Sequence, residues 1–383
     1  MFDKIKKFFH NCYLKLCDFR ELSPEKYVKS FVIILLVLIV FAVAAVLLVD
    51  PYVRYHKAVG IKQIFRKSEA MIPGIMRNFD YDTVLFGSSM TQNFDIAEMN
   101  AILGGKSIKA TCAGLDSESL DKYLETAFAV HKKDLKRCLV GVDLFCFSPS
   151  DRPRWKDYKY MYGNHIFAPE YFFSIDTADA IRDMIKTNIT QKWKPLSRFE
   201  LDQNKMFSNK PGLKYGRKYL EYAVTQLHPF PVPLDETTIA NFERHFFRHI
   251  AANPDVQFDV FMPPYSIYFW CYIDENKELD KLSDLRNRFA EGVLKYPNVR
   301  LFDFHADFDI CCNLDNYKDI THYSPEINTL LLKKIASDIP VKSYAGFVKN
   351  TNAICEKLKE YKAEFARLRS LDVGPKKRRA VEE

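Results

Sequence analysis

The sequence predicts an α/β fold, a parallel sheet with helices on both faces, tethered by one N-terminal transmembrane helix. Three observations predict it. From residue 82 onward, short apolar runs of strand length alternate with stretches of helical periodicity. Such alternation favours a parallel sheet covered on both sides. Residues 30–49 carry no charge, and Phe31 to Val40 is continuously apolar. Composition is that of a globular protein, with 48% hydrophobic and 27% charged residues over 383 positions. That length suits about two domain-equivalents at most.

The apolar segment comes first. Twenty helical residues span about 30 Å, the thickness of the hydrocarbon core. Ala42-Val43-Ala44 resembles a small-residue cleavage site, so a cleaved signal peptide is the competing reading. The long preceding segment and the unbroken run to Val49 favour a retained span. A buried core helix fits less well, because the run is apolar all round. Lys4, Lys6, Lys7, Lys15, Arg20, Lys26 and Lys29 precede the span, and only Arg54 and Lys57 closely follow it. The positive-inside rule then keeps the N-terminus cytoplasmic and the bulk of the chain outside.

The expected organisation is a cytoplasmic segment over 1–29, the span over 30–50 and a connector with some helix over 51–80. An α/β domain follows over 81–340, with an insertion at about 148–235, and 341–383 form an amphipathic helix and basic tail. Within the domain, 83–86 reads as a buried strand and 96–103 as a helix capped by Asp95. Residues 107–112 form a second strand, 117–132 a helix with Leu120, Tyr123, Leu124, Ala127 and Phe128 on one face, and 137–145 a third strand. The insertion is rich in aromatics, including Trp155, Tyr158, Tyr160, Tyr162 and Trp193, with helix over 177–187. Alternation resumes with a helix over 236–252, a strand over 257–262, a helix over 277–296, a strand over 299–304 and a helix over 325–337. One polar amphipathic helix is expected over 345–369, and the tail beyond Gly374 has a disordered composition.

Charge and cysteines exclude several classes. The net charge of +7 is modest and much of it sits at the two ends, for example in Lys376-Lys377-Arg378-Arg379. A basic nucleic-acid groove is therefore not expected. The nine cysteines are scattered. Cys112, Cys138 and Cys146 read as core residues, while Cys271 or Cys355 could pair with Cys311 or Cys312. No C-x-x-C pair suggests zinc. His245 and His249 lie four apart on a helix but lack a third ligand, so no metal or cofactor is expected.

Two distant fragments carry the chemistry. Gly87-Ser88-Ser89-Met90-Thr91 ends the first strand, and Asp319-Ile320-Thr321-His322 precedes the last core helix. A serine on a strand-to-helix turn and a histidine three residues after an aspartate supply a nucleophile, a base and an orienting carboxylate. Each fragment alone also reads as a plain turn, since Gly and Ser favour turns anyway. Ser88 is an alternative nucleophile, though shaping the turn suits it better. Loops at the carboxyl ends of parallel strands build sites, so both fragments can meet on one sheet edge. Aromatics of the insertion, and Trp270 after Pro263-Pro264, are candidates for stacking sugar rings, or simply core.

In these fragments the chain resembles the SGNH (GDSL-like) hydrolase superfamily, over roughly residues 82–337 apart from the insertion. Gly87-Ser88-Ser89 stands where that family has Gly-Asp-Ser, with Ser89 at the nucleophile and Ser88 replacing the aspartate. Cys112-Ala113-Gly114 places Gly114 at the oxyanion position. Asp319-Ile320-Thr321-His322 matches the last block fully, whereas Gly141-Val142-Asp143-Leu144 puts Asp143 where asparagine is expected. The resemblance implies a flavodoxin-like three-layer α/β/α domain of SGNH type. With a G-S-S block and an N-terminal span, it looks like the membrane-anchored branch acting on envelope polysaccharides or teichoic acids.

That resemblance implies a serine esterase or O-acyltransferase with Ser89, Asp319 and His322 catalytic, and backbone N–H groups of Ser89 and Gly114 in the oxyanion hole. Ser88, Asn93, Asp143 and Asn164 are the candidate substrate contacts, Asn93 or Asn164 replacing the missing third donor. The implied partners are an extracytoplasmic glycan or envelope polymer, the membrane, and a membrane-bound acyltransferase supplying acyl groups. Two rivals stay open. One is a catalytically inactive scaffold that keeps the fold, favoured by the Ser88 and Asp143 departures. The other is a glycan-binding module without acyl release.

Overall fold

A computed structural model describes residues 23–131, 133–163, 167–190, 215–228 and 236–371. Five strands form one all-parallel sheet: β1 Thr83–Gly87, β2 Ser107–Thr111, β3 Arg137–Gly141, β4 Gln257–Met262 and β5 Val299–Asp303. Their spatial order is β2-β1-β3-β4-β5. This is the doubly wound 2-1-3-4-5 arrangement, in which the chain leaves β1 in opposite directions on its two sides. The expected α/β class with a parallel sheet is therefore present.

Burial on both faces explains the strand composition. Val84, Leu85 and Phe86 of β1, and Phe258, Val260, Phe261 and Met262 of β4, are all buried. Strands covered on both sides need no polar alternation. Helices Ser68–Asn78, Ser117–His131 and Leu279–Val293, with the segment Glu236–Phe242 and its continuation, pack against one another as one layer. Helices Ile96–Leu103 and Pro325–Ala336 pack together as the other.

Several expected boundaries move, each for a physical reason. The third strand ends at Gly141 rather than 145, and Leu144–Phe147 turns into a 3-10 helix. Helix 236–252 contains one π turn at Glu243–Phe247. The helix expected from 277 begins at Leu279, because Lys277 adopts a left-handed φ of 60°. A helix not foreseen, Ile267–Glu275, precedes it. Its residues 267–273 are all buried, so it has no amphipathic stripe to betray it. The helix expected over 345–369 is broken by a 3-10 turn, Leu358–Glu360.

The first described element is the apolar helix Pro24–Val49, with Pro in the favoured first turn. Most of its side chains are exposed, apart from a few near its C-terminal end. It ends at Asp50, in the left-handed region at φ 41° and fully buried. The Asp50 carboxylate accepts the backbone N–H groups of Arg54, Tyr55 and His56 at 2.7–3.0 Å and the Tyr171 hydroxyl at 2.6 Å. Those four bonds hold the strained residue and join the helix to the insertion.

The described parts of the insertion are helical: Arg154–Met161, Pro169–Phe172, Ile175–Thr190 and Arg217–Thr225. Trp193, the N-terminal residues 1–22 and the basic tail lie outside the described residues. All seven described cysteines are free, so the pairings considered for Cys271, Cys311, Cys312 and Cys355 are not made.

At the far end of the sheet from the site loops, Asp259 on β4 is wholly buried. Arg300 of β5 grips it through two bonds of 2.7 and 2.8 Å, and Arg137 of β3 stands 3.5 Å away. Asp259→Ala takes away the buried carboxylate that Arg137 and Arg300 share, leaving Arg300 only its exposed partner Asp338. Because both arginines are partly open to solvent, the expected loss sits at the low end for a broken buried pair, about 3 kcal/mol. Chemical denaturation of the variant against the native protein measures it.

Candidate active site

The nucleophile turn is set by two glycines. Gly87 ends β1 at φ 155°, and a side chain there would strike Thr91 at 2.6 Å. Gly141, its register partner on β3, would meet Thr91 at 2.4 Å with any Cβ. Both positions must be bare for Thr91 to pack beneath the turn. Thr91 then donates its hydroxyl and its N–H to the Ser88 carbonyl, at 2.8 and 3.1 Å. The chain is wound into the 3-10 turn Ser89–Thr91, and Ser89 is lifted to the half-exposed end of the strand.

The histidine loop is built locally around one carboxylate. Asp319 accepts the N–H groups of Thr321 and His322 at 3.0 and 2.8 Å, and the Thr321 hydroxyl at 3.1 Å. Lys318 reaches its other oxygen at 2.8 Å. The ladder contact Tyr317↔Tyr323 closes the loop, and Ser324 leads directly into the helix Pro325–Ala336. Ser266 fixes its middle by donating N–H and hydroxyl to the Ile320 carbonyl, at 3.1 and 2.8 Å.

The two loops meet. Ser89 Oγ lies 3.0 Å from His322 Nε2, and His322 Nδ1 lies 2.9 Å from Asp319 Oδ2. The buried Tyr323 hydroxyl donates to the Met90 carbonyl at 2.9 Å and pins one loop to the other. Chemically, the arrangement can pass a serine proton to an imidazole whose other nitrogen is held by a carboxylate.

Burial opposes ionisation of Asp319, but its hydrogen bond and electrostatic interaction with His322, and Lys318 beside it, outweigh it. Its carboxyl is held well below the usual carboxylate range. The sign for stability follows. A depressed folded pKa contributes stability in full above the unfolded value of about 4, and the contribution is lost as pH falls through the folded value.

Ser89, Met90, Asn93, His322 and Tyr323 line one shallow depression. Asn93 is therefore beside the serine. Ser88 and Asp143 do not line the depression. Ser88 is buried, and its hydroxyl accepts the Met90 N–H at 3.4 Å. With Gly87, Gly141 and Asp143 it borders a small enclosed cavity behind the turn. Burial pushes the Asp143 carboxyl up, against the opposing pull of the Tyr265 hydroxyl and the Phe145 N–H. Its Oδ1 has no hydrogen-bond partner among the described residues. Gly114 sits in a left-handed turn at φ 62°, with its carbonyl taken by Arg154 Nε at 2.9 Å. Asn164 lies outside the described residues.

Other candidates resolve into structure. His245 and His249 both bond Asp121, at 3.0 and 2.5 Å. Trp270 is buried beside Arg286 and His305, so it presents no face to a sugar. Three residues near the site carried no sequence signal: Lys318, Tyr323 and Tyr215. The Tyr215 hydroxyl, pushed up to about 12 by burial and by Glu326 and Asp319, has no partner among the described residues. Aromatic residues flanking Asp-x-x-His were the only available hint.

No family model matches the sequence, and no curated protein matches it. Among solved structures the chain is similar to one described as "a putative platelet activating factor from Streptococcus pneumonia". The identity is 9%, the match covers 76% of this chain and 91% of that chain, and the TM-score is 0.33.

Tyr323→Phe removes the tie between the loops and leaves the ring in place. The expected cost in stability is about 1 kcal/mol. The serine and imidazole lose their register, so reaction of Ser89 with an organophosphorus probe slows by up to about 100-fold. Thermal melts and labelling rates separate the two effects. Asp319→Asn removes a carboxylate with a depressed pKa. Its stability should therefore rise less steeply than the native protein's between about pH 2 and about pH 4, as read by denaturation across that range.

Proposed function

We propose that this chain is a membrane-tethered serine esterase or O-acyltransferase of SGNH type, acting on O-acyl groups of an extracytoplasmic glycan or envelope polymer. One observation carries the enzymatic part: the Ser89 hydroxyl 3.0 Å from His322 Nε2, with Asp319 2.9 Å from Nδ1. His322 takes the serine proton as Oγ attacks an ester carbonyl. Asp319 keeps the imidazole in the tautomer that accepts it and stabilises the imidazolium. Backbone N–H groups of Ser89 and Gly114 receive the oxyanion, each such donor being worth about 3–4 kcal/mol. The alcohol leaves with the proton from His322. The acyl-serine then passes to water or to a sugar hydroxyl.

Two features support the choice of substrate. The half-exposed serine lies in a shallow depression at the sheet edge rather than in a deep pocket, which suits an acyl group displayed on a polymer. The apolar helix Pro24–Val49 is long enough to cross a membrane, and its basic flank favours a domain held outside the cytoplasm. A membrane-bound acyltransferase is the partner that would supply acyl groups there.

The second reading is a catalytically silent scaffold of the same fold. Asp143, standing where the resembled family has asparagine, favours it.

A fluorophosphonate probe decides between them. The enzyme predicts stoichiometric labelling that is lost in Ser89→Ala, and a rate lowered by about 10⁴-fold in Asp319→Asn. Well-folded protein that takes no label rejects the enzyme and leaves the scaffold.

A further inference from the structure

The helix Ile175–Thr190 is built inside out. Its buried side carries Thr177, Ala180, Met184 and Asn188. Asn188 is held there by exchanging bonds of 2.6 and 2.9 Å with the backbone of Lys62. Its outward side carries Ile175, Ile185 and Ile189, which are 81%, 43% and 67% exposed, with Ile181 half-buried among them. A surface helix ordinarily turns its apolar stripe toward the core. At its N-terminal end the exposed Phe167 and Phe173 extend the apolar surface, Phe167 stacking on Phe172 at 5.1 Å. Contiguous apolar surface of this kind marks a contact site.

Its place in the fold says what covers it. The apolar helix Pro24–Val49 packs against both Pro169–Phe172 and Ile175–Thr190. Val46 and Val43, near its C-terminal end, join the core of the domain. Residues 30–49 are the uncharged stretch, and all 20 are needed to cover about 30 Å of hydrocarbon. The last two turns of the span must then lie in the leaflet on the domain's side. Elements packed on those turns are brought down to headgroup depth. Lys186 borders the isoleucines and is exposed, as suits a long cationic side chain reaching from an apolar face toward lipid phosphates, while Arg182 beside it is paired with Asp179 and Asp183 at 2.8 and 3.4 Å.

We propose that the outward face of Ile175–Thr190 is a second membrane contact. It lies in the headgroup–acyl boundary beside the span, its isoleucines inserted among lipid chains. The proposal rests on reading Pro24–Val49 as a retained membrane span. Two attachments then fix the tilt of the α/β domain over the bilayer, which one helix alone would leave free to swivel.

The test uses the full chain in vesicles of phosphatidylcholine and phosphatidylglycerol. An environment-sensitive fluorophore is placed on Ile185→Cys, Ile189→Cys or Leu38→Cys, with unsubstituted protein labelled in parallel as the blank. Quenching by doxyl-lipid is compared with quenching by aqueous iodide. Leu38 reports the span itself. The proposal expects Leu38 to respond to deep doxyl groups. It expects Ile185 and Ile189 to respond to shallow doxyl groups at least about threefold more strongly than to iodide, as for helices buried about 5–10 Å into the boundary. If Leu38 fails to respond to lipid, the span reading falls and takes the proposal with it. If Leu38 responds but Ile185 and Ile189 meet only iodide, the second contact alone is overturned. Protection from both quenchers would mean that protein covers the face, residues 191–214 or another molecule, and would overturn it as well.

Discussion

The hydrogen bond from the Tyr323 hydroxyl to the Met90 carbonyl joins two loops 233 residues apart, and the candidate site depends on it. Neither loop can supply the chemistry alone. Bringing such distant segments together costs loop-closure entropy, which grows slowly with length but must still be offset. Here the sheet offsets it. In a parallel sheet every strand delivers its following loop to the same edge. The last core helix, Pro325–Ala336, then packs on Ile96–Leu103, which follows the serine turn, and Thr329 bonds Glu98 across them at 2.6 Å. Tyr323 completes a contact whose coarse position topology has already set.

Within that frame the two halves of the site are assembled at different cost. The aspartate and histidine are three residues apart, so the loop organises itself around one carboxylate through its own N–H groups. The serine depends on long-range packing: β3 must present a bare Gly141 so that Thr91 can fill the space beneath the turn. A fault in sheet register would therefore displace Ser89 while leaving Asp319 and His322 correctly paired. This asymmetry makes the Ser89–His322 distance the sensitive measure of the whole fold.

It also explains what was legible in the sequence. The strand Gln257–Met262 and the cap Asp95 were readable because local pattern and burial agree there. Asp-x-x-His was readable because its geometry is local. Ile267–Glu275 was not, since uniform burial erases periodicity. The length of β3 is overestimated because the apolar residues Val142, Leu144 and Phe145 continue beyond the strand, into a 3-10 turn whose Leu144 and Phe147 are themselves core. Tyr323 was invisible for another reason: its hydroxyl partner is chosen by tertiary packing, and no spacing rule encodes it. Ser88 and Asp143 were assigned by their place in a motif, which says nothing about which way a side chain faces.

Asp143 is where the energetics of an active and a silent site divide. Two like unit charges about 5 Å apart repel by about 3 kcal/mol at an effective dielectric constant of about 20. That is as much as one oxyanion donor contributes. A carboxyl carrying a proton adds no charge and can donate a hydrogen bond. Burial pushes Asp143 toward that protonated form, Tyr265 and the Phe145 N–H pull against it, and one of its oxygens has no partner among the described residues. The departure from asparagine therefore need not silence the serine. Desolvation and two hydrogen bonds at this one side chain therefore pull the charge behind the Ser89 turn in opposite directions.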